Sequence, residues 1–411
     1  MRNPLQKIPW RDGNRLDLLR SGEAFFPALC AAIDEARRSI HLETYIFAWD
    51  PTGQKILEHL VRARARGVKV RLVIDGFGSQ EATGRLAQAC AETGVYLRIY
   101  RPEPSGLMRL LRLSPRRLRR LHRKTAVIDR RVAFIGGINI IDDYDTLPID
   151  TGPPLPRFDF ALRLSGPIVR DITLIQGALW LRMAWRRRAN WRAFYDRVRH
   201  FVRRLHKRLR AASPAPATGP SRAMLLLRDN MLHRQTIENA YLQLLAGARH
   251  RVLIANAYFF PGRRLRKALA DAARRGVHVE LLLQGQPEYP LQYRAGRYTY
   301  QDFLDQGLVL HEYMASFLHA KVAVIDDHVM IGSSNLDPFS LLLAREANIL
   351  SDDAEIAQAL SEALDHAIAH DSRRIQSEAL RRRGWAQRLL DTLAYAALRA
   401  GVLLTGRASR Y

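Results

Sequence analysis

Two short stretches of the chain carry the residues that could do chemistry. Leu121-His122-Arg123-Lys124 is followed by Asp129 and by Gly136-Gly137-Ile138-Asn139; Leu318-His319-Ala320-Lys321 is followed by Asp326 and by Gly332-Ser333-Ser334-Asn335. Both read His-x-Lys, four residues, Asp, then a glycine-containing turn ending in Asn. One such triplet could arise by accident in so basic a chain. Two in the same context are a repeat, which we read as two half-sites. Lysine usage sharpens the point, because only seven of the 65 basic residues are lysine and two of those seven stand in the motifs. A chain that elsewhere uses arginine thus places a compact, freely rotating ammonium at these two points, as contact with a phosphate favours.

A phosphodiester carries its charge on two oxygens, so an attacking group needs that charge neutralised and the leaving alkoxide needs a proton. Two histidines can divide this labour: one, unprotonated, attacks phosphorus to form a phosphohistidine, and the other, protonated, supplies the leaving oxygen. Lys124, Lys321, Asn139, Asn335 and Ser333 are the candidates to hold the phosphoryl oxygens. An attacking imidazole also needs its far nitrogen fixed by an acceptor. Asp159 and Glu346, on expected strands after each motif, are the candidates for that. Asp129 and Asp326 are counted with His122, Lys124, His319 and Lys321 in the catalytic set, although their place beside hairpin turns also suits a structural role. No metal or other cofactor is expected: a carboxylate-rich ligand set is lacking, and a lysine two residues from each histidine would repel a cation.

The elements that must position these residues are also written twice. Leu60 to Gly76 aligns without a gap with Leu269 to Gly285, at an offset of 209, as a helix end, a glycine C-cap and a strand. Ahead of these lie strands from Ser39 to Phe47 and from Arg251 to Phe260. Each half reads strand, helix, strand, then a hairpin that brings His, Lys and Asn toward one phosphate. The fold class is α/β, with two pseudo-symmetric lobes, each a mixed β-sheet flanked by helices, and the active site between them.

The 411 residues allow two lobes with buried cores, and the net charge of +25 points to an anionic partner, either nucleic acid or an anionic membrane surface. Cys30 and Cys90 have no metal-ligand or disulfide spacing and are expected as reduced core residues. No secretory signal and no clean apolar span is legible. We divide the chain into a lobe at 1–184, a basic amphipathic helix with a proline-rich linker at 185–222, a lobe at 223–370, and a basic amphipathic tail at 371–411. Trp185 to Arg210 sets aromatic and aliphatic residues against arginines at helical spacing, which suits an anionic bilayer interface and equally a helix packed on its own protein. The tail's apolar run, Leu389 to Leu404, is too interrupted by charge to span, so an in-plane or docking helix is expected. A third basic run, Arg109 to Arg123, leads into His122 and suits either steering of an anionic substrate or a solvated helix face.

The duplicated motif, with Leu42-Glu-Thr-Tyr-Ile-Phe47, Ile135-Gly-Gly-Ile-Asn139, Ile254-Ala-Asn-Ala-Tyr-Phe-Phe-Pro261 and Gly332-Ser-Ser-Asn-Leu-Asp-Pro338, strongly resembles the phospholipase D superfamily. Within it the chain is similar to bacterial cardiolipin synthases, most closely the B type, over roughly residues 10 to 370. The resemblance implies phosphatidyl transfer between two phosphatidylglycerol molecules with release of glycerol, at an anionic phospholipid membrane, peripheral on the cytoplasmic side of a bacterial inner membrane. It also implies His122 as nucleophile, His319 as acid and base, and Asp159 and Glu346 where the family places its histidine-orienting carboxylates. A phospholipase D-type hydrolase differs only in using water as acceptor. A metal-independent nuclease on the same fold would need aromatic stacking along a basic groove, whereas here the aromatics join leucines outside the repeats, so no nucleic acid is expected.

Two departures stand out. Gly137 occupies the place of Ser333, removing one hydroxyl. The second copy is also one residue shorter between Asp and the first Gly. A deletion in the Asp327-His328 turn preserves the strand's alternation; a deletion within the strand would turn every side chain to the other face. The turn is the expected place.

Overall fold

The computed structural model describes residues 8–103, 119–144, 154–185, 216–229 and 233–403. The run from 109 to 118 and the amphipathic segment from 186 to 210 lie outside the described residues. The first half contributes β1 (Arg11–Arg20), β2 (Ser39–Thr44), β3 (Lys69–Asp75), β4 (Tyr96–Tyr100), β5 (Lys124–Ile128), β6 (Val132–Gly136) and β7 (Phe160–Ser165). The second half contributes β8 (Ser221–Arg228), β9 (Arg251–Asn256), β10 (His278–Gln284), β11 (Val309–Tyr313), β12 (Lys321–Ile325), β13 (His328–Gly332), β14 (Glu346–Ser351) and a short β15 (Ser372–Arg374). The strand order is β4-β3-β2-β5-β6-β7-β1 in one half and β8-β14-β13-β12-β9-β10-β11-β15 in the other, joined where β1 pairs antiparallel with β8. The same topology is thus written twice, with β15 as an addition to the second copy.

In each half three parallel strands carry helical crossovers, and an antiparallel hairpin and its neighbour follow. The parallel strands, such as Lys-Val-Arg-Leu-Val-Ile-Asp in β3, are apolar runs because helices cover them. The crossover helix Pro51–Ala65 starts where Asp50 accepts the Gly53 N–H at 2.7 Å and a proline takes the first turn. Both crossovers end on a glycine in the left-handed region, Gly67 at φ 86° and Gly276 at φ 87°, which is the C-cap the repeat had indicated.

The central core lies between the halves. Ile135, Phe160 and Leu162 of the first sheet pack with Ile331, Ala347 and Ile349 of the second, and the helices Ile168–Trp185 and Ala354–His370 close its ends. Separate cores lie under the crossover helices of each half. The hairpins sit on the central seam, and this is what brings the motifs of the two halves face to face.

The missing residue falls in the turn. Residues 129–131 separate β5 from β6, while only 326 and 327 separate β12 from β13. Lys124 still pairs with Gly136 and Val322 with Ile331, so the alternation and the facing of Lys321 are kept.

The tail packs against the second half. β15 pairs with β11, so the strand just past 370 belongs to the second half's sheet. The helix Trp385–Leu403 docks through Ala394, Leu398 and Val402 onto Phe260, Leu342 and Leu343. Among the described residues no helix is long and apolar enough to cross a membrane.

Candidate active site

Each motif histidine stands just ahead of a central strand, and backbone bonds from the opposite half fix it there. The N–H groups of His122 and Arg123 both donate to the Arg345 carbonyl, at 3.0 and 2.9 Å, and the N–H of His319 donates to the Phe158 carbonyl at 2.9 Å. A buried side chain at the end of the third strand then holds the preceding leucine. Asp75 accepts the Leu121 N–H at 2.8 Å, and Gln284 accepts the Leu318 N–H at 3.0 Å. Sequence reasoning did not assign these two residues a role. The signal was available, since the gapless repeat sets Asp75 opposite Gln284.

Both carboxylates proposed to orient the histidines do approach an imidazole, but each serves the other half. His122 Nδ1 is 2.9 Å from Glu346 Oε1 and 3.2 Å from the Ser333 carbonyl oxygen. His319 Nδ1 is 2.5 Å from Asp159 Oδ2. Because the neighbours of each Nδ1 are acceptors only, Nδ1 carries the proton and the lone pair stays on Nε2, the nitrogen available for attack. Neither half can assemble a complete histidine pair alone.

The lysines are wholly buried in this seam. Lys124 Nζ donates to the His122 carbonyl at 2.7 Å, and Lys321 Nζ donates to the His319 carbonyl. Burial pulls Lys124 down to about 7, opposed by Glu346 and reinforced by Lys321; burial likewise pulls Lys321 down to about 8, opposed by Asp159 and Glu346. Desolvation also lowers His122, partly offset by Glu346, and lowers His319 well below its ordinary value, with Lys321 and Lys124 adding to the effect. Burial raises Asp159 to about 6, against the pull of Lys321. Four cationic or basic groups thus crowd two carboxylates in a dry site. Such a site gains strongly from an entering anion.

The remaining predicted residues divide. Asn139 and Asn335 are buried beside the hairpins: Asn139 Oδ1 accepts the Ile46 N–H at 3.1 Å, while Asn335 Oδ1 has no partner among the described residues. Ser333, expected to hold a phosphoryl oxygen, contacts a carboxylate here. Its hydroxyl donates to Glu346 Oε2 at 2.6 Å and accepts the Ala347 N–H at 3.1 Å, so it holds the carboxylate that faces His122. Gly137 fits the same logic, for a Cβ there would lie 2.3 Å from Asp159 Oδ1. The shorter carboxylate demands a glycine, and the longer one takes a serine.

Asp129 and Asp326 are not brought into the site. Each lies beyond a five-residue strand from its lysine, roughly 16 Å along the chain direction. Asp129 accepts the N–H groups of Arg37, Arg38 and Ser39, and Asp326 those of Arg249, His250 and Arg251, at 2.7 to 3.0 Å. Each carboxylate ties the hairpin turn to the start of the neighbouring strand, and these bonds hold both below the usual carboxylate range against their partial burial. In this structure all of these contacts tie a turn to a strand.

Further groups surround the histidines. The Tyr45 ring lies 4.8 Å from that of His122, with Lys124 Nζ 5.3 Å from the same ring. Its repeat partner Tyr258 donates to Glu288 at 2.6 Å, and Glu288 accepts from Arg157 of the first half at 3.0 Å. Arg228, fully buried, donates to the Leu341 and Ala344 carbonyls and so steadies the loop leading into Glu346.

Residues 29–144 and 241–368 match the family described as cardiolipin synthase, PLD-like domain. The chain is 38% identical over 406 residues to cardiolipin synthase B of Escherichia coli K12, covering 97% of this chain and 91% of that one. It belongs to the cardiolipin synthase family of phospholipase D-like proteins. Cardiolipin synthase 1 of Staphylococcus epidermidis is 28% identical over 357 residues, spanning 86% of this chain and 68% of its own. Among solved structures, a phosphatidylserine synthase of Haemophilus influenzae superposes with a TM-score of 0.69 at 17% identity, covering 98% of this chain and 97% of that chain. A polyphosphate kinase of Porphyromonas gingivalis superposes with a TM-score of 0.54 at 16% identity, covering 95% and 53%. At such identities these two report the fold alone. In this family member the duplicated motifs supply both halves of a single site. Among the described residues no group of three His, Cys, Asp or Glu side chains is placed to hold a metal ion.

Proposed function

We propose that the protein is a phosphatidyltransferase making cardiolipin from two molecules of phosphatidylglycerol through a covalent phosphatidyl-histidine. The observation that carries this reading is the exchanged pairing of His122 with Glu346 and of His319 with Asp159, two oriented imidazoles in one buried basic site. His122 Nε2 attacks the phosphorus of the first phosphatidylglycerol. The entering anion and Asp159 favour the imidazolium of His319, protonated on Nε2 before the step; as the bond from phosphorus to the glycerol headgroup oxygen breaks, that Nε2 gives the oxygen its proton, releasing glycerol. A hydroxyl of a second phosphatidylglycerol then loses its proton to His319 and attacks phosphorus. The bond to His122 breaks, yielding cardiolipin and the free enzyme.

Lys124, Lys321, Asn139 and Asn335 hold the non-bridging oxygens through both steps. An anionic diester also supplies the charge that the buried lysines lack, so substrate binding keeps them protonated. Glu346 keeps the attacking Nε2 of His122 unprotonated in the resting imidazole, and Asp159 stabilises the imidazolium of His319. The enzyme works at an anionic phospholipid surface, attached peripherally to the cytoplasmic face of a bacterial inner membrane.

The test incubates the purified protein with labelled phosphatidylglycerol vesicles in the presence of a chelator and resolves the lipid products. Cardiolipin and free glycerol are expected, both abolished by His122→Ala. Phosphatidic acid alone would make the protein a hydrolase, and an absence of lipid turnover would overturn the reading.

A further inference from the structure

A second basic site lies away from the histidines. The short helix Pro290–Arg297 has a pocket on either side of it, and Tyr293 lines both. One pocket opens on Tyr258 and Glu288, next to the active site. The other is a cavity of about 420 Å³ between this helix, β15 and the start of the helix Trp385–Leu403. Five arginines are among the residues that line it: Arg294, Arg297, Arg373, Arg374 and Arg383.

Two buried carboxylates answer them. Glu312 faces Arg373 at 2.7 Å and Arg297 at 3.5 Å, and Asp391 faces Arg383 at 2.7 Å and Arg294 at 3.3 Å. Five positive groups against two negative ones leave an excess of three. Arg374 faces no carboxylate, and the buried Arg297 Nε has no acceptor among the described residues. The volume suits a phosphate-bearing headgroup, and converging guanidiniums are the side chains that bind one best.

The helix that supplies Asp391 also indicates the source of that phosphate. It docks by its inner face, while Trp385, Leu389, Leu390 and Leu393 on the outer face are 78%, 49%, 47% and 56% exposed. Residues 385, 389 and 393 fall on one stripe, with Leu390 beside it. Arg381, Arg382 and Arg388 flank the stripe. An aromatic and leucine stripe beside a cationic cavity fits a bilayer interface, with acyl chains under the stripe and an anionic headgroup in the cavity.

We propose that this cavity is a second, non-catalytic site for the headgroup of an anionic phospholipid, and that with the Trp385–Leu393 stripe it anchors the enzyme to the bilayer. The site goes beyond the transfer reaction and does not depend on it, since binding there needs neither histidine.

The experiment measures binding of the full chain, in the non-reacting His122→Ala background, to phosphatidylcholine vesicles with and without phosphatidylglycerol at about 4:1. Arg374→Glu removes no ion pair and reverses one charge in the cavity. It is expected to weaken binding to the anionic vesicles by roughly thirtyfold while leaving phosphatidylcholine binding unchanged. Leu389→Ser with Leu393→Ser should weaken binding to both vesicles, and Arg38→Glu, on the far half, should change neither. Thermal unfolding confirms that each variant is folded. An unchanged Arg374→Glu, or an equal loss in Arg38→Glu, would overturn the site. Inorganic phosphate that protects Arg374 from arginine-directed modification as well as a short-chain phosphatidylglycerol does would instead identify a free-phosphate site and overturn the lipid assignment. In the otherwise unmutated enzyme, transfer between monomeric short-chain lipids should be unaffected by Arg374→Glu; its loss would place the cavity in the reaction and overturn its non-catalytic character.

Discussion

The pairing of Gly137 with Asp159, and of Ser333 with Glu346, allows the site to be broken and rebuilt by design. In Gly137→Ala the new Cβ would stand 2.3 Å from Asp159 Oδ1 and 2.7 Å from its Cγ. The carboxylate must retreat by roughly 1 Å, a displacement that at a reacting centre can cost about 10²-fold in rate. Its 2.5 Å contact with His319 Nδ1 is then lost. A hydrogen bond to a charged group contributes ~1.5–3 kcal/mol, which corresponds to about 10- to 150-fold, so the two estimates agree. Gly137→Ser should act like Gly137→Ala. Asp159→Glu alone should also fail, because the longer side chain lacks the serine that holds Glu346 at 2.6 Å in the other copy. The double variant Gly137→Ser/Asp159→Glu rewrites the first pair as the second and should recover most of the lost rate. The assay is initial-rate cardiolipin formation from labelled phosphatidylglycerol, with melting temperature measured on all four proteins. A near wild-type rate in Gly137→Ala, or a double variant no better than the worse single, would refute the steric account.

Three further outcomes follow from the geometry. Glu346→Gln should lower turnover by about 10²–10⁴-fold with little change in melting temperature, because the amide can present its NH₂ to His122 Nδ1 and favour the wrong tautomer; an initial-rate measurement on the folded variant checks this. In the free enzyme Lys124 and Lys321 lose their protons near 7 and 8 as the pH rises, whereas the lowered His122 remains a free base below its ordinary value. The ratio kcat/KM should therefore fall above pH 7 to 8 by up to about tenfold per unit for each proton lost, while kcat falls only at higher pH because the bound phosphate keeps the lysines charged; coincident alkaline limbs would contradict this. Asp129→Asn should leave kcat within about twofold and cost roughly 1–2 kcal/mol of stability, read by denaturant titration, because it loses charged acceptors for partly solvated N–H groups. A large loss of kcat without loss of stability would return Asp129 to the catalytic set.

By itself the sequence determined the chemistry and the repeat. His-x-Lys twice, the hairpins that carry them, the glycine caps at Gly67 and Gly276, and the turn that absorbs the missing residue were all legible, because each depends on local spacing, strand alternation or a backbone conformation that one residue type favours. Asp159 and Glu346 could be named as orienting carboxylates for the same reason: each is a charged residue at the start of a strand that must be buried. What the sequence left open was the partner of each. Asp159 follows His122 in the chain but meets His319, because the half-sheets pack face to face and each carboxylate points across the seam. Ser333, expected from its own motif as a phosphate ligand, meets the carboxylate that faces His122, a contact that only the packing shows. The motif aspartates were legible as a repeat with two readings, catalytic and structural. Asp129 and Asp326 repeat as regularly as the histidines, yet repetition records only that the same position is needed twice, and tertiary structure shows it is needed to tie a turn to a strand. The basic cavity is the clearest product of tertiary structure alone. Its five arginines come from one helix, a short strand and a connecting turn separated by up to 89 residues along the chain, and no local pattern marks them until packing sets them around a single space.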